Sequence, residues 1–251
     1  MTIKKAMGIL TCNRTDLLKQ TLESFFSFNS MRDMSCILLD NNSDDCYSRD
    51  NKILSNDFGF KYVYNVQCKK NKNKGACEDD NREINIKIEL GHSRLIQELL
   101  KTNADLFFIL EDDWNCLGEV PFDDIYSFLS ENKGIGQVRI RDYRYDDSFY
   151  GGSSKNFVTL KRIEFTETII INGSIFKIAN MHWVNSCIAM RREALEYMSK
   201  LFESEIDKMM FFYDRYPQNA QLLPGIFYHT GPNRIRNDLK AKGLFDNENI
   251  S

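Results

Sequence analysis

The chain has 251 residues, 42% of them hydrophobic and 27% charged, with a formal net charge of -3. That length buries a full core, the composition excludes a disordered or fibrous chain, and the slightly acidic balance speaks against a protein that coats nucleic acid, where phosphate neutralisation dominates binding. No apolar run reaches the roughly 18 residues of a membrane span, and the run after Met1–Lys5 is interrupted by Asn13 and Arg14 too soon for a signal peptide.

The seven cysteines, Cys12, Cys36, Cys46, Cys68, Cys77, Cys116 and Cys187, are odd in number, dispersed and never spaced as C-x-x-C. Reduced thiols in a cytoplasmic protein are expected, and neither a zinc site nor a disulfide framework. The three histidines are too few for a His-rich metal site, although one can contribute to another.

In chain order, residues 6–11 read as a buried strand, and Thr15 or Asp16 suits the cap of a helix carrying Leu18, Leu22, Phe25 and Phe26 at helical spacing. Residues 36–40 read as a second strand ended by the turn-forming 41–45, and residues 60–66 as a third. Residues 68–83 are polar, lysine-rich and aperiodic, which predicts a loop. A helix is expected after Gly91, with Leu95, Ile96, Leu99 and Leu100 on one face. Further on, 122–129 suggests a helix, 137–140 a strand, 142–156 a loop, and 157–178 alternates as antiparallel strands do. Residues 185–190 suggest a strand and 191–202 a helix. A helix over 205–216 opens behind Ser204, and 222–228 forms a late strand before a polar tail. Strands alternating with helices imply a mostly parallel sheet with right-handed crossovers.

The most informative segment is Leu106–Leu110 followed at once by Glu111, Asp112 and Asp113. Five apolar residues make a strand buried on both faces, and ligands bind beyond the carboxyl ends of such strands. Three adjacent carboxylates repel one another unless a cation or hydrogen-bond donors compensate them. All-oxygen donors favour Mg²⁺ or Mn²⁺, which keep waters and take further ligands from substrate phosphates. Taken alone, the acids equally suit the cap of the next segment.

The order of short motifs is more specific than any one of them. Gly8-Ile9-Leu10-Thr11-Cys12-Asn13-Arg14 opens a helix, Leu38-Leu39-Asp40-Asn41-Asn42-Ser43 closes the second strand, Gly91-His92-Ser93-Arg94 precedes the acidic strand, and Glu111-Asp112-Asp113 is a variant of a D-x-D triplet. In this order and spacing, residues 6–114 resemble the GT-A glycosyltransferases, family 2-like. The resemblance implies an α/β GT-A fold, with a Rossmann-like, mostly parallel central sheet, helices on both faces and a smaller antiparallel portion in the second half. It also implies one domain, in which 1–114 hold a nucleotide sugar, 115–232 hold the acceptor and 233–251 form a tail.

The implied activity is metal-dependent transfer of a sugar from a nucleoside-diphosphate sugar, a UDP-sugar first, to an acceptor hydroxyl with inversion. By resemblance, Thr11, Asn13, Arg14 and Asp40 hold the nucleoside. A carboxylate such as Asp40 accepts hydrogen bonds from a base or ribose, while it also suits a turn cap. Arg94 faces the diphosphate or the base from the helix start, a bidentate task, while surface solvation suits it equally. Glu111 and Asp112 border the donor, and Asp113 with the late His229 holds Mn²⁺ or Mg²⁺.

The family's general base is a carboxylate near the start of a helix in the second half. The chain has no Glu-Asp dipeptide there, so Asp207 is taken first and Glu205 second, with Asp214 and Glu203 next. Trp183, beside His182, and Tyr150, beside Gly151 and Gly152, suit an acceptor pocket, since aromatic faces pack on sugar rings; core packing suits Trp183 equally. The acceptor classes left open are a glycan, a lipid-linked sugar, a protein or a modified nucleic-acid base. Two other readings share the sheet and the acids: a nucleotidyltransferase, for which no Gly-rich phosphate loop is seen near 8–16, and a non-catalytic nucleotide- or carbohydrate-binding module.

Overall fold

A computed structural model describes residues 3–30, 32–66, 80–142, 164–181 and 183–230. Strands β1 (Lys5–Thr11), β2 (Met34–Asp40), β3 (Lys61–Tyr64) and β4 (Leu106–Glu111) form the first half of a nine-stranded sheet. Three helices connect them: α1 (Thr15–Phe28), α2 (Asp45–Asp57) and α3 (Asp80–Leu100). After β4 come β5 (Trp114–Cys116), α4 (Phe122–Glu131), β6 (Val138–Arg139), β7 (Phe165–Ile171), β8 (Ser174–Asn180), β9 (Ile188–Arg191), α5 (Arg192–Tyr197), α6 (Glu205–Arg215), β10 (Gln218–Leu223) and β11 (Phe227–His229).

The sheet order is β3-β2-β1-β4-β9-β6-β10-β8-β7. The pairings leave only β9 and β8 running against the others, so the expected mostly parallel sheet is present. β5 and β11 form a separate antiparallel pair. The β7–β8 hairpin turns through Asn172 (φ 49°) and Gly173 (φ 96°), the left-handed pair that a two-residue hairpin loop requires.

Side chains alternate along the strands and so serve two cores. Met7 and Ile9 of β1 join Leu18, Leu22 and Phe25 of α1 and the α4 residues Ile125, Phe128 and Leu129 on one face. Ala6 and Leu10 join Leu95, Ile96 and Leu99 of α3, Leu195 of α5 and Phe212 of α6 on the other. All five residues Leu106–Leu110 are at most 1% exposed. At about 1.5–3 kcal/mol for each large apolar side chain buried, β4 is anchored firmly enough to carry three acids at its end.

Several expected boundaries move. The helix expected after Gly91 begins at Asp80, so Gly91–Arg94 lie within α3. The buried polar residues Glu89, His92 and Ser93 interrupt its apolar stripe and hid the earlier turns. α2 was not read at all, because its buried positions are Asn51 and Ser55. The helix expected over 191–202 stops at Tyr197, and the late strand is two, β10 and β11, parted at Pro224 and Gly225. The aperiodic segment 68–79, the loop residues 143–156 and the tail from Gly231 lie outside the described residues. No helix among the described residues is long and apolar enough to cross a membrane.

Candidate active site at the carboxyl ends of β1, β2 and β4

Register brings the motifs together. Thr11 pairs with Asp40 across β1 and β2, and Leu10 pairs with Glu111 across β1 and β4. The segments 11–14, 40–44 and 111–113 therefore leave the sheet side by side. Asp112 is fully buried. Its Oδ2 accepts from the Thr11 hydroxyl at 2.7 Å and the Cys12 N–H at 3.3 Å, and the Thr21 hydroxyl donates to its carbonyl at 2.9 Å while accepting from the Trp114 N–H at 3.1 Å. Arg14, just before α1, spans both acids, Nη1 to Asp113 Oδ2 at 2.6 Å and Nη2 to Asp112 Oδ1 at 3.1 Å. Burial pushes the Asp112 carboxyl up to about 7; Arg14 pulls against it and Asp113 adds repulsion.

His229 arrives from the far end of the chain. In the β5–β11 pair it sits opposite Trp114, their ring centroids 4.9 Å apart, edge to face. Thr230 fixes the strand end, its N–H and hydroxyl donating to the Asp113 carbonyl at 2.8 and 3.0 Å. His229 Nε2 then lies 3.1 Å from Asp113 Oδ2. Arg141 stands over Trp114, its guanidinium carbon 4.8 Å from the ring centroid.

Glu111 turns toward α3, where its Oε1 is 2.9 Å from His92 Nε2. Burial would raise its carboxyl, yet the His92 hydrogen bond and charge, with Arg141 and Arg14, outweigh burial and hold it down at about 2. Its N–H donates to Ser186 Oγ at 2.9 Å.

Asp40 is fully buried. Its carboxylate accepts from the Ser43 N–H at 2.8 Å, Asn51 Nδ2 at 3.0 Å and the Tyr62 hydroxyl at 2.9 Å, so the turn-cap reading of Asp40 describes what it does here. Asn13, at φ 55°, joins that turn to β1. Its N–H donates to Ser43 Oγ at 2.9 Å, its Oδ1 accepts from the Asp44 N–H at 2.7 Å, and its Nδ2 donates to Asp44 Oδ2 at 3.1 Å.

The remaining expected residues divide. Arg94 does not face the acids: it lies inside α3 with Nη2 2.8 Å from Glu98 Oε1, and Glu98 also takes Lys61 and Lys101. Trp183 is 1% exposed, its Nε1 donating to Asn185 Oδ1 at 2.6 Å and its ring against Phe212. That is core packing, with no face open to an acceptor. Tyr150 and His182 lie outside the described residues.

Glu205 and Asp207 both open α6, where the Asp207 N–H is capped by Ser204 Oγ at 3.4 Å. Glu205 is exposed at the surface, yet desolvation by nearby protein raises its carboxyl, with repulsion from Glu89 and Glu111 adding and Lys208 and His92 subtracting. Sequence reasoning missed His92, Arg141 and the buried pair Glu89–Lys208. Glu89 and His92, three apart on one helix face within an apolar stripe, were the available signal.

The residues fit the cation that the resemblance implies. Asp113 Oδ1 is buried and accepts no hydrogen bond, an expensive state for a carboxylate oxygen. The 3.1 Å between Asp113 Oδ2 and His229 Nε2 is also the separation of two ligands on one small cation. Among the described residues no three His, Cys, Asp or Glu side chains make a complete cage. Two protein ligands suit Mn²⁺ or Mg²⁺, which complete their coordination with water and phosphate.

No protein-family model and no curated protein matches the chain. Solved structures do. The mannosyltransferase PcManGT from Pyrobaculum calidifontis, in complex with GDP-Man and Mn²⁺, superposes with a TM-score of 0.56 at 11% identity, over 99% of this chain and 66% of that one. TarS from S. aureus matches with a TM-score of 0.53 at 12% identity, over 96% of this chain and 39% of that one. The TarS 1-349 complex with UDP-GlcNAc gives 0.51 at 14% identity, over 92% and 59%. The chain thus spans about two fifths to two thirds of the length of these proteins. At these identities the likeness establishes the fold, which is GT-A.

Proposed function

We propose that this chain transfers a glycosyl group from a nucleoside-diphosphate sugar, a UDP-sugar first, to an acceptor hydroxyl, with Mn²⁺ or Mg²⁺ held by Asp113 and His229. The observation that carries the reading is the convergence of Arg14, Asp112, Asp113 and His229 at one strand edge of a GT-A fold. Two proteins sharing that fold were solved with nucleotide sugars, one of them with Mn²⁺. The first half, 1–114, supplies the donor side and the second, 115–232, supplies His229 and Glu205.

Each residue's task follows from its surroundings. Asn13, Ser43 and Asp44 lock two loops into one rigid edge for the nucleoside, with Asp40 beneath them. Departure of a nucleoside diphosphate builds negative charge on its phosphates, and Asp113 and His229 would hold the cation whose charge offsets it. Arg14 pairs with Asp112 and Asp113 side by side and stands at 41% side-chain exposure, within reach of an incoming anion. Glu205 is favoured over Asp207 as the base, since its carboxylate feels Glu111, at the end of β4, and His92. Attack aided by a base on the face opposite the leaving phosphate inverts the anomeric centre.

The test is release of nucleoside diphosphate from a panel of UDP- and GDP-sugars with Mn²⁺, comparing wild type with Asp113→Asn. Slow release by wild type and a loss of about 10²-fold or more in the variant are expected. Release of pyrophosphate would instead identify nucleotidyl transfer, and tight binding without turnover a binding module.

A further inference from the structure

One charged cluster remains without a task in this scheme, the buried pair beneath the first turn of α6. Lys208 is fully buried and Glu89 2% exposed. Lys208 Nζ donates to Glu89 Oε2 at 3.0 Å and to Asn185 Oδ1 at 2.8 Å. Asn185 Nδ2 donates to Glu89 Oε1 at 2.7 Å, and Trp183 Nε1 donates to Asn185 Oδ1 at 2.6 Å. The ammonium also lies 5.1 Å from the centroid of the Trp183 ring. Three separate pieces of chain, α3, the segment before β9 and α6, are thereby bonded at one point.

Stability alone does not account for this. Well-packed apolar side chains of similar volume serve a core as well as a buried ion pair does, or better, and Phe212 of the same helix already packs that way on Trp183. Lys208 follows Glu205 by three residues, so the buried ammonium pins the turn from which the exposed Glu205 projects. Four groups act on the Glu205 carboxylate through space: Glu89 and His92 from α3, Glu111 from the end of β4, and Lys208 from its own helix. The buried pair supplies one charge of each sign, both fixed by hydrogen bonds.

We propose that Lys208 and Glu89, locked by Asn185 and Trp183, are positioning residues for Glu205, holding the first turn of α6 at the edge of the site and fixing the charges that its carboxylate meets. The inference rests on the reading of Glu205 as the base. It also gives Trp183 a task in place of acceptor binding: it buttresses the residue that holds the pair.

The test follows Glu205 itself. Its side-chain carboxyl carbon is titrated by NMR in ¹³C-labelled protein, the signal being assigned by its disappearance in Glu205→Gln. Wild type is compared with Glu89→Gln and with the double variant Glu89→Gln/Lys208→Met, which removes both charges, leaves no lone ion in the core and so keeps the fold. Removing Glu89 alone takes away a repulsion and leaves the ammonium, so the midpoint should fall by about half to one unit. The double variant should lie between Glu89→Gln and wild type. An unchanged midpoint in the folded double variant and in Glu89→Gln would overturn the proposal. The acid limb of kcat/KM for donor hydrolysis separates this from the base assignment. If the NMR midpoint shifts while that limb stays, positioning stands and Glu205 is not the base; if the limb depends on Glu205 while no midpoint moves, Glu205 is the base and the pair is only structural.

Discussion

Replacing Arg14 with alanine separates the two cations that the acidic edge can hold. Arg14 is the one cation shown bonded to both Asp112, which is fully buried, and Asp113, which is 5% exposed. Removing one partner of a buried ion pair costs about 3–5 kcal/mol, and the 41% exposure of the Arg14 side chain lets water screen part of that loss. The expected destabilisation without metal is therefore about 1–3 kcal/mol, read as a Tm lowered by roughly 3–10 °C for a chain of this size. Divalent metal should reverse the effect. In wild type Mn²⁺ shares the acids with a guanidinium; in Arg14→Ala that competitor is gone and Mn²⁺ should bind at least about tenfold tighter, or 1.4 kcal/mol. Ligand held only by the folded state stabilises it by about 2.7 kcal/mol at a hundredfold excess over Kd. Thermal unfolding with and without Mn²⁺, with calorimetric Mn²⁺ titration, reads both effects. Equal Tm values in the absence of metal, together with equal Mn²⁺ affinities, would refute the reasoning.

Two other predictions concern pH and packing. Burial pushes the Asp112 carboxyl up to about 7 from an ordinary value of 3.8, so between those values the folded state keeps a proton that the unfolded chain has released. Metal-free stability should then fall as pH rises from about 4 to 7, and saturating Mn²⁺ should flatten that slope in pH-dependent denaturant melts; Glu111, held at about 2 against an ordinary 4.5, acts with the opposite sign and only at the acid end of this window. At Gly8 an added Cβ would lie 2.9 Å from the Leu95 and Leu99 methyl groups, so Gly8→Ala should destabilise by about 1–3 kcal/mol through overpacking while leaving Mn²⁺ affinity unchanged; urea unfolding and the same metal titration check both halves.

How much of this was legible from sequence depends on the range of each contact. The acidic strand end was legible because its cause is local: five apolar residues fix the strand and the next three must leave it. Thr11, Asn13, Arg14 and Asp40 were legible as a group because parallel pairing of β1, β2 and β4 aligns their ends. What they touch was not. Asp40 served equally as ligand or turn cap until Asn51 and Tyr62, 11 and 22 residues on, were seen to occupy it. Arg94 was misread because Glu89, His92 and Ser93 put polar groups on the buried face of α3 and disguised its length. Trp183 had two readings that only burial separates. His229 was found by resemblance, but its placement depends on a three-residue pairing with β5, 113 residues away at Asn115–Tyr228, a register that no local pattern encodes.

The distribution of buried charge points to the same edge independently of any likeness. Buried ions are costly unless paired, and a fold can usually replace them with apolar groups without loss. Here Asp112–Asp113–Arg14, Glu111–His92 and Glu89–Lys208 are linked through the surroundings of Glu111 and Glu205. At the opposite edge of the sheet the cations do ordinary structural work: Arg192 donates to the Thr102 and Ala104 carbonyls before β4, and Arg191 donates to the Leu129, Lys133 and Ile135 carbonyls around the end of α4. Those arginines close chain ends and leave no carboxylate in need of a cation. The acidic edge is different in kind, because Asp113 retains a buried oxygen with no donor. That oxygen costs stability as it stands, so it marks the point of the site at which the proposed cation would be tested first.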